Sequence, residues 1–136
     1  MARLKEHDEH CRQIAHRLED IADGNLFICE SCGEELHEHD FTDKCPRCGA
    51  GEDEIRTLSV YDWLEDVLDI DVLCTLRGEY KAAKILVAFG GPNIYVDTWA
   101  REVNLYWWNE SGSWSFSIEA ANEIDEAVSE LFSCNR

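Results

Sequence analysis

The chain has 136 residues and carries 12 basic against 29 acidic side chains, a formal charge of −17, with 7 basic and 15 acidic groups in residues 1–56 and 5 and 14 in residues 57–136. This balance argues against direct binding to DNA or RNA, because nucleic-acid binders replace counterions with Lys and Arg; no apolar run approaches the length of a membrane span. The opening Met-Ala-Arg-Leu-Lys-Glu-His alternates charge with single apolar residues, unlike a secretory signal, so a cytoplasmic location is expected.

In a reducing compartment the seven cysteines are expected as metal ligands and buried thiols, not disulfides. Residues 3–23 form the first predicted element, a helix whose Leu4, Cys11, Ile14, Ala15, Leu18, Ile21 and Ala22 fall on one stripe, with a stop at Gly24-Asn25. The segment 1–25 is therefore read as an N-terminal helix. Its stripe also fits a heptad pattern (Leu4, His7, Cys11, Ile14, Leu18, Ile21), so packing on the neighbouring domain is expected, with a homodimer as the alternative. His7, His10 and Cys11 share one helix face, three ligands that fall short of a four-coordinate metal site.

The segment 26–56 contains the most specific motif of the chain, Cys29-x2-Cys32-Gly33 followed by Cys45-Pro46-x-Cys48-Gly49. Two such pairs offer four soft thiolates to one ion, the cage of a structural zinc or a rubredoxin-type iron. Leu26-Phe27-Ile28 reads as a short strand leading into the first knuckle, and Gly33 and Gly49 as tight turns that aim backbone N–H groups at the sulfurs. The polar stretch Glu34 to Lys44 reads as a loop or short hairpin, and a domain boundary is expected within Gly51–Thr57.

Residues 57–136 are predicted to form an α+β domain of the pattern α-ββββ-α, an antiparallel meander with helices on one face. Ser59 and Asp62 make a capping box for a helix with Leu64, Val67 and Leu68 on its apolar side. Strand-like runs follow at Val72–Leu76, Ala82–Phe89, Ile94–Thr98, Val103–Trp108 and Trp114–Phe116, separated by turn residues such as Gly90-Gly91-Pro92-Asn93. Ser117 caps a last helix carrying Ile118, Ala121, Ile124, Val128 and Leu131. The single cysteines Cys11, Cys74 and Cys134 are expected in the core, as are most of the five tryptophans. Both faces of Val103–Trp108 carry large rings, so the second sheet face is expected to be covered by the N-terminal helix, another subunit or a target.

From Phe27 to Ile55, the residues Cys29-Glu-Ser-Cys32-Gly33 and Lys44-Cys45-Pro46-Arg47-Cys48-Gly49-Ala-Gly51 resemble the rubredoxin-like module of rubrerythrins and many short zinc ribbons. That resemblance implies a ribbon fold with Zn2+, alternatively Fe, held by Cys29, Cys32, Cys45 and Cys48, and implies no activity. The chain departs from rubrerythrin in lacking Glu-x-x-His pairs on long helices, which a di-iron bundle needs. Residues 61–108, with Gly90-Gly91-Pro92-Asn93-Ile-Tyr-Val-Asp97-Thr98 and Tyr106-Trp107-Trp108, resemble small acidic proteins of phages and mobile elements of Firmicutes. Some proteins from such settings inhibit host defence nucleases, anti-CRISPR proteins among them; the resemblance names neither target nor contact residues.

No nucleophile elbow, P-loop or His-Glu metalloprotease motif is present, and a site closed by four cysteines keeps no open coordination position, so a non-enzyme is expected. The expected function is binding to a basic protein surface, such as the nucleic-acid-binding cleft of a defence nuclease. Asp62, Glu65, Asp66, Asp69 and Asp71 would stand in for phosphates, and Trp108 would serve as an anchor. The alternatives are a rubredoxin-like iron electron carrier and a zinc-ribbon adaptor of transcription or RNA machinery. The latter requires Arg12, Arg17, Lys44, Arg47 and Arg56 to gather into a basic patch.

Overall fold

The computed structural model describes residues 2–134, with side chains through residue 133. Strand β1 (Ala2–Arg3) precedes helix α1 (Lys5–Ala22). Strands β2 (Leu26–Cys29), β3 (Glu35–His37) and β4 (Ile55–Thr57) form a small sheet in the order β3-β2-β4. Helix α2 (Val60–Glu65) leads into β5 (Asp69–Cys74), β6 (Tyr80–Ala88), β7 (Asn93–Asp97), β8 (Glu102–Trp107) and β9 (Glu110–Ser115), and α3 (Ile118–Cys134) closes the described chain. The large sheet runs β1-β9-β8-β7-β6-β5. The α+β class is as expected, and β5 to β9 form the antiparallel meander. The sheet is mixed rather than purely antiparallel, because β1 adds a sixth strand parallel to β9.

The first helix starts two residues later than its stripe suggests, since Ala2 and Arg3 are drawn into the sheet edge and Leu4 stands extended before the first turn. Its apolar stripe then packs on the sheet: His7, Cys11, Ala15, Leu18 and Ile21 are buried. Ile21 and Leu18 share one core with Ile85, Ile94, Val96, Val103 and Leu105 of the strands and Ala120, Ile124 and Val128 of α3. This intramolecular packing uses the heptad face. The closest approach is at Gly112 in β9, where an added Cβ would lie 2.5 Å from the His7 backbone carbon. The glycine lets the first turn of α1 rest directly on the strand.

That contact also explains a misreading of the sequence. The last strand, expected only at Trp114–Phe116 after a turn over Asn109–Ser113, is β9 at Glu110–Ser115, and the turn before it is Trp108-Asn109, with Trp108 at φ 57°. The other strand correction is β5, which begins at Asp69 and ends at Cys74, so Leu76 lies in a fully exposed turn. The alternation Asp69, Ile70, Asp71, Val72 is a half-buried strand whose polar side was acidic enough to pass for a loop.

The capping box of α2 is present in full: Ser59 Oγ accepts the Asp62 N–H, and the Asp62 carboxylate accepts the Ser59 N–H at 2.8 Å. The helix stops at Glu65, leaving Val67 partly buried beyond it and Leu68 exposed. At the start of α3 the Ser117 hydroxyl accepts the Ala120 N–H at 3.1 Å.

Helices α1 and α3 lie on the same face of the sheet, where cross-strand partners Ile70, Ile85, Val96 and Val103 point. The second face, expected to be covered, is open among the described residues. Cys11 is in the core as expected, but Cys74 is exposed on the edge strand β5, and the Cys134 side chain lies outside the described residues. The tryptophans also depart from expectation: Trp63 alone is buried, while Trp99, Trp107, Trp108 and Trp114 are exposed by 68, 43, 86 and 39%. Trp99 and Trp108 occupy turns, and Trp107 and Trp114 sit near the sheet ends, where the covering helices give out.

Candidate metal centre

The two knuckles are built alike from the backbone up. In each, the first cysteine N–H donates to a carbonyl five residues on (Cys29 to Glu34, Cys45 to Ala50), and its carbonyl accepts the glycine N–H (Gly33 at 2.7 Å, Gly49 at 2.9 Å). Gly33 and Gly49 have φ of 79° and 77°, a left-handed conformation that a residue with a Cβ adopts only under strain. Their N–H groups thus close the turns and do not reach the sulfurs. The N–H groups of Glu34, Arg47 and Cys48 do that instead.

The four sulfurs converge. Cys29 and Cys48 Sγ lie 3.7 Å apart, as do Cys32 and Cys45, and all four fall within 4.8 Å of one another. Zinc–thiolate bonds of about 2.3 Å place neighbouring sulfurs of a tetrahedron about 3.8 Å apart, whereas a disulfide needs about 2.05 Å. Cys29 and Cys45 are buried, Cys32 is half-buried and Cys48 is exposed, so the cluster has one side open to solvent.

Proton affinities within the cluster diverge. The N–H groups of Cys48 and Arg47 hold the Cys45 thiol down at about 7 against the opposing effect of burial. At Cys32 the Glu34 N–H favours the thiolate, but burial and the neighbouring sulfurs push the thiol up to about 12. Four thiolates this close repel one another, and a cation at their centre is what makes full deprotonation favourable. The donor set fits a four-coordinate metal ion, and thiolate sulfur suits zinc and iron alike.

Around the sulfurs, Leu36 is the one other buried member of the cluster among the described residues, supported by Phe27, Phe41, Ala50 and Ile55; the Phe27 and Phe41 rings meet edge to face at 5.4 Å. Four arginines brace the module and α1, each against carboxylates. Arg12 bonds Glu9, Arg17 bonds Glu35, Arg47 bonds Glu34 at 2.6 Å, and Arg56 bonds Glu30 and Asp62. Four of the five residues whose gathering would make a basic patch are thus paired with the protein's own acids, and Lys44 is exposed.

The second histidine cluster does not assemble. His7 Nε2 turns to Glu110 at 2.9 Å, Cys11 points into the core, where burial first and Asp8 second push its thiol up to about 11, and His10 is exposed. The four cysteines are the one metal-compatible group among the described residues.

The carboxylates expected to act together are divided by the fold. Asp62 is committed to the capping box and to a two-pronged bond with Arg56, which with Ser59 holds its carboxyl down at about 2. Glu65 and Asp66 are exposed at the end of α2, and Asp66 lines a groove of about 390 Å3 with Ile14, Trp63, Val67 and Phe89. Asp69 and Asp71 project from β5 on the open sheet face. Trp108 stands apart at the β8–β9 turn. The exposed ring of Trp99, at the β7–β8 turn, has no signal in the sequence, because apolar periodicity does not register a ring just past a strand end.

Comparison with protein-family models, with curated proteins and with solved structures finds no match to this chain. No described helix is long and apolar enough to cross a membrane.

Proposed function

We propose that this is a non-enzymatic cytoplasmic binding protein whose cysteine module is a zinc ribbon and whose acidic exterior docks on a basic protein surface. The observation that carries the reading is how the charges are distributed. Arg12, Arg17, Arg47 and Arg56 are each engaged by carboxylates, so the −17 chain keeps a surplus of exposed acids, such as Glu65, Asp66, Asp69 and Asp71, together with four exposed tryptophans. Surplus negative charge beside large rings suits a cationic partner, because charge steers encounter and aromatic anchors supply affinity. A partner that normally grips nucleic acid presents that kind of surface, and this protein would act as an inhibitor or adaptor by occupying it. Zinc in this reading supports shape and takes no part in chemistry.

The test is affinity capture from a lysate of the native host at about 50 mM salt, with stepped salt elution. The captured protein is then reconstituted in a nucleic-acid-binding assay with and without this chain. A basic partner that elutes between about 0.2 and 0.5 M salt and loses its nucleic acid supports the proposal. Affinity unchanged by salt, or a partner whose nucleic-acid binding is unaffected, overturns it.

Iron is the second reading of the centre, favoured by the exposed Cys48, which would bring one sulfur of a redox site to the surface. Protein expressed in iron-rich medium decides this directly. A colourless preparation with one zinc per chain removes the electron carrier.

A further inference from the structure

The open face of the large sheet carries chemistry that the covered face lacks, in register across the strands. One row reads Asp71, Lys84, Asp97 and Glu102, contributed by four consecutive strands from β5 to β8. The next row reads Asp69, Leu86, Tyr95 and Asn104, and Tyr106 follows beside Asn93. Cross-strand partners share a face, so these side chains form one surface of three charge-bearing carboxylates in the first row, a fourth in the second, and two tyrosine rings. The rings of Tyr95 and Tyr106 meet at 60° with centroids 6.3 Å apart.

A cation already sits on this surface. Lys84 is flanked in its row by Asp71 and Asp97, and its ammonium lies 4.7 Å from the centroid of the Tyr95 ring. The face thus makes on itself one interaction that recognises a basic side chain, the ring contact, with carboxylates at the neighbouring register positions on either side. One lysine offsets only part of the negative charge. Asp97 has one oxygen engaged by the Trp99 and Ala100 N–H groups, while Asp69 and Asp71 are exposed at the sheet edge.

A second copy of this chain would set acid against acid here, and an apolar partner would strand the carboxylates. We infer that the open sheet face is the docking surface, and that its occupant is an arginine- or lysine-bearing segment of a protein, whose cations take up the positions around Tyr95, Tyr106, Asp71 and Glu102. The inference rests on the basic-partner reading above and names the surface that serves it, in preference to the α2 carboxylates Asp62, Glu65 and Asp66.

The probe is a nine-residue arginine peptide added to the isotope-labelled, zinc-loaded full chain, with backbone amide shifts followed at about 0.1 M salt. Shifts concentrated on β5 to β8 are expected. Asp71→Asn with Glu102→Gln should weaken binding about tenfold, and Tyr95→Leu about three- to tenfold, as expected for a desolvated cation–π contact. Glu119→Gln with Glu126→Gln, which removes the same charge from α3 on the helical side, should weaken binding less than about twofold. Equal losses from the two double variants, or shifts confined to the helices or to the Trp63–Phe89 groove, overturn the sheet-face assignment while leaving an acidic binding protein intact. No binding by the peptide at any site overturns both readings. An unchanged amide spectrum in the free variants separates loss of contact from loss of fold.

Discussion

The cysteine module and the sheet with its helices solve the same problem by different means. The sheet region buries a contiguous cluster of 21 residues drawn from three helices and the strands. Apart from Leu26, which joins that larger cluster, the module buries three, and two of those, Cys29 and Cys45, are candidate metal ligands. Removing water from apolar side chains is worth roughly 1.5–3 kcal/mol for each large one, so the sheet region holds itself together by area. Leu36 and a half-buried pair of phenylalanines cannot do so for some thirty residues, and in the proposed reading bonds to one ion take over. One region is stabilised by many weak and replaceable contacts, the other, in the proposed reading, by a single site whose loss would be total.

The contrast is broken most sharply at a ligand. Cys45→Ser should abolish stoichiometric metal and expose the amides of residues 26–57 to fast hydrogen exchange, because metal binding worth on the order of 10 kcal/mol or more disappears. Amides of β7 and β8 should remain protected. A module that stays protected without metal would falsify the staple. In the sheet, Ile85→Ala removes part of a fully buried side chain, and we expect a loss of about 2–5 kcal/mol in urea unfolding with the metal content unchanged. Gly112→Ala should cost about 1–3 kcal/mol by lifting α1 off β9, visible as a lower melting temperature. A neutral result there would mean that the helix seat shifts freely.

Asp62 joins the two regions, since its partner Arg56 belongs to β4 and its cap begins α2. Its folded-state pKa lies below the ordinary 3.8, at about 2, chiefly through Arg56. A depressed carboxylate contributes stability above its unfolded value and loses it as pH falls from about 3.8 through 2. Partial exposure and solvent screening keep that contribution on the order of 1 kcal/mol. The stability difference between the native chain and Asp62→Asn should be full at pH 6 and shrink toward zero near pH 2. A difference constant across that range would assign the effect to shape rather than charge.

The two regions also differ in how far the chain alone reveals them. The Cys29, Cys32, Cys45 and Cys48 spacing determines its own geometry, because short links between thiols leave few ways to meet around one point, and glycine at the left-handed positions closes each turn. The Ser59–Asp62 cap and the Ser117 cap are equally local, decided within four residues. Apolar spacing likewise revealed α1 and the strands β6, β7 and β8. Where contacts are distant in sequence, local pattern is silent: nothing near Gly112 announces that it will receive the first turn of α1, so the first part of β9 reads as a turn. The same holds for Ala2 and Arg3, which become a strand only because β9 offers an edge. It holds most for the surface. Whether a tryptophan is core or rim, and whether Asp69 shares a face with Tyr95 or with Asp62, depends on which side of the sheet the helices take. That choice belongs to the packed chain as a whole, since burial is a property of the neighbours that tertiary structure supplies.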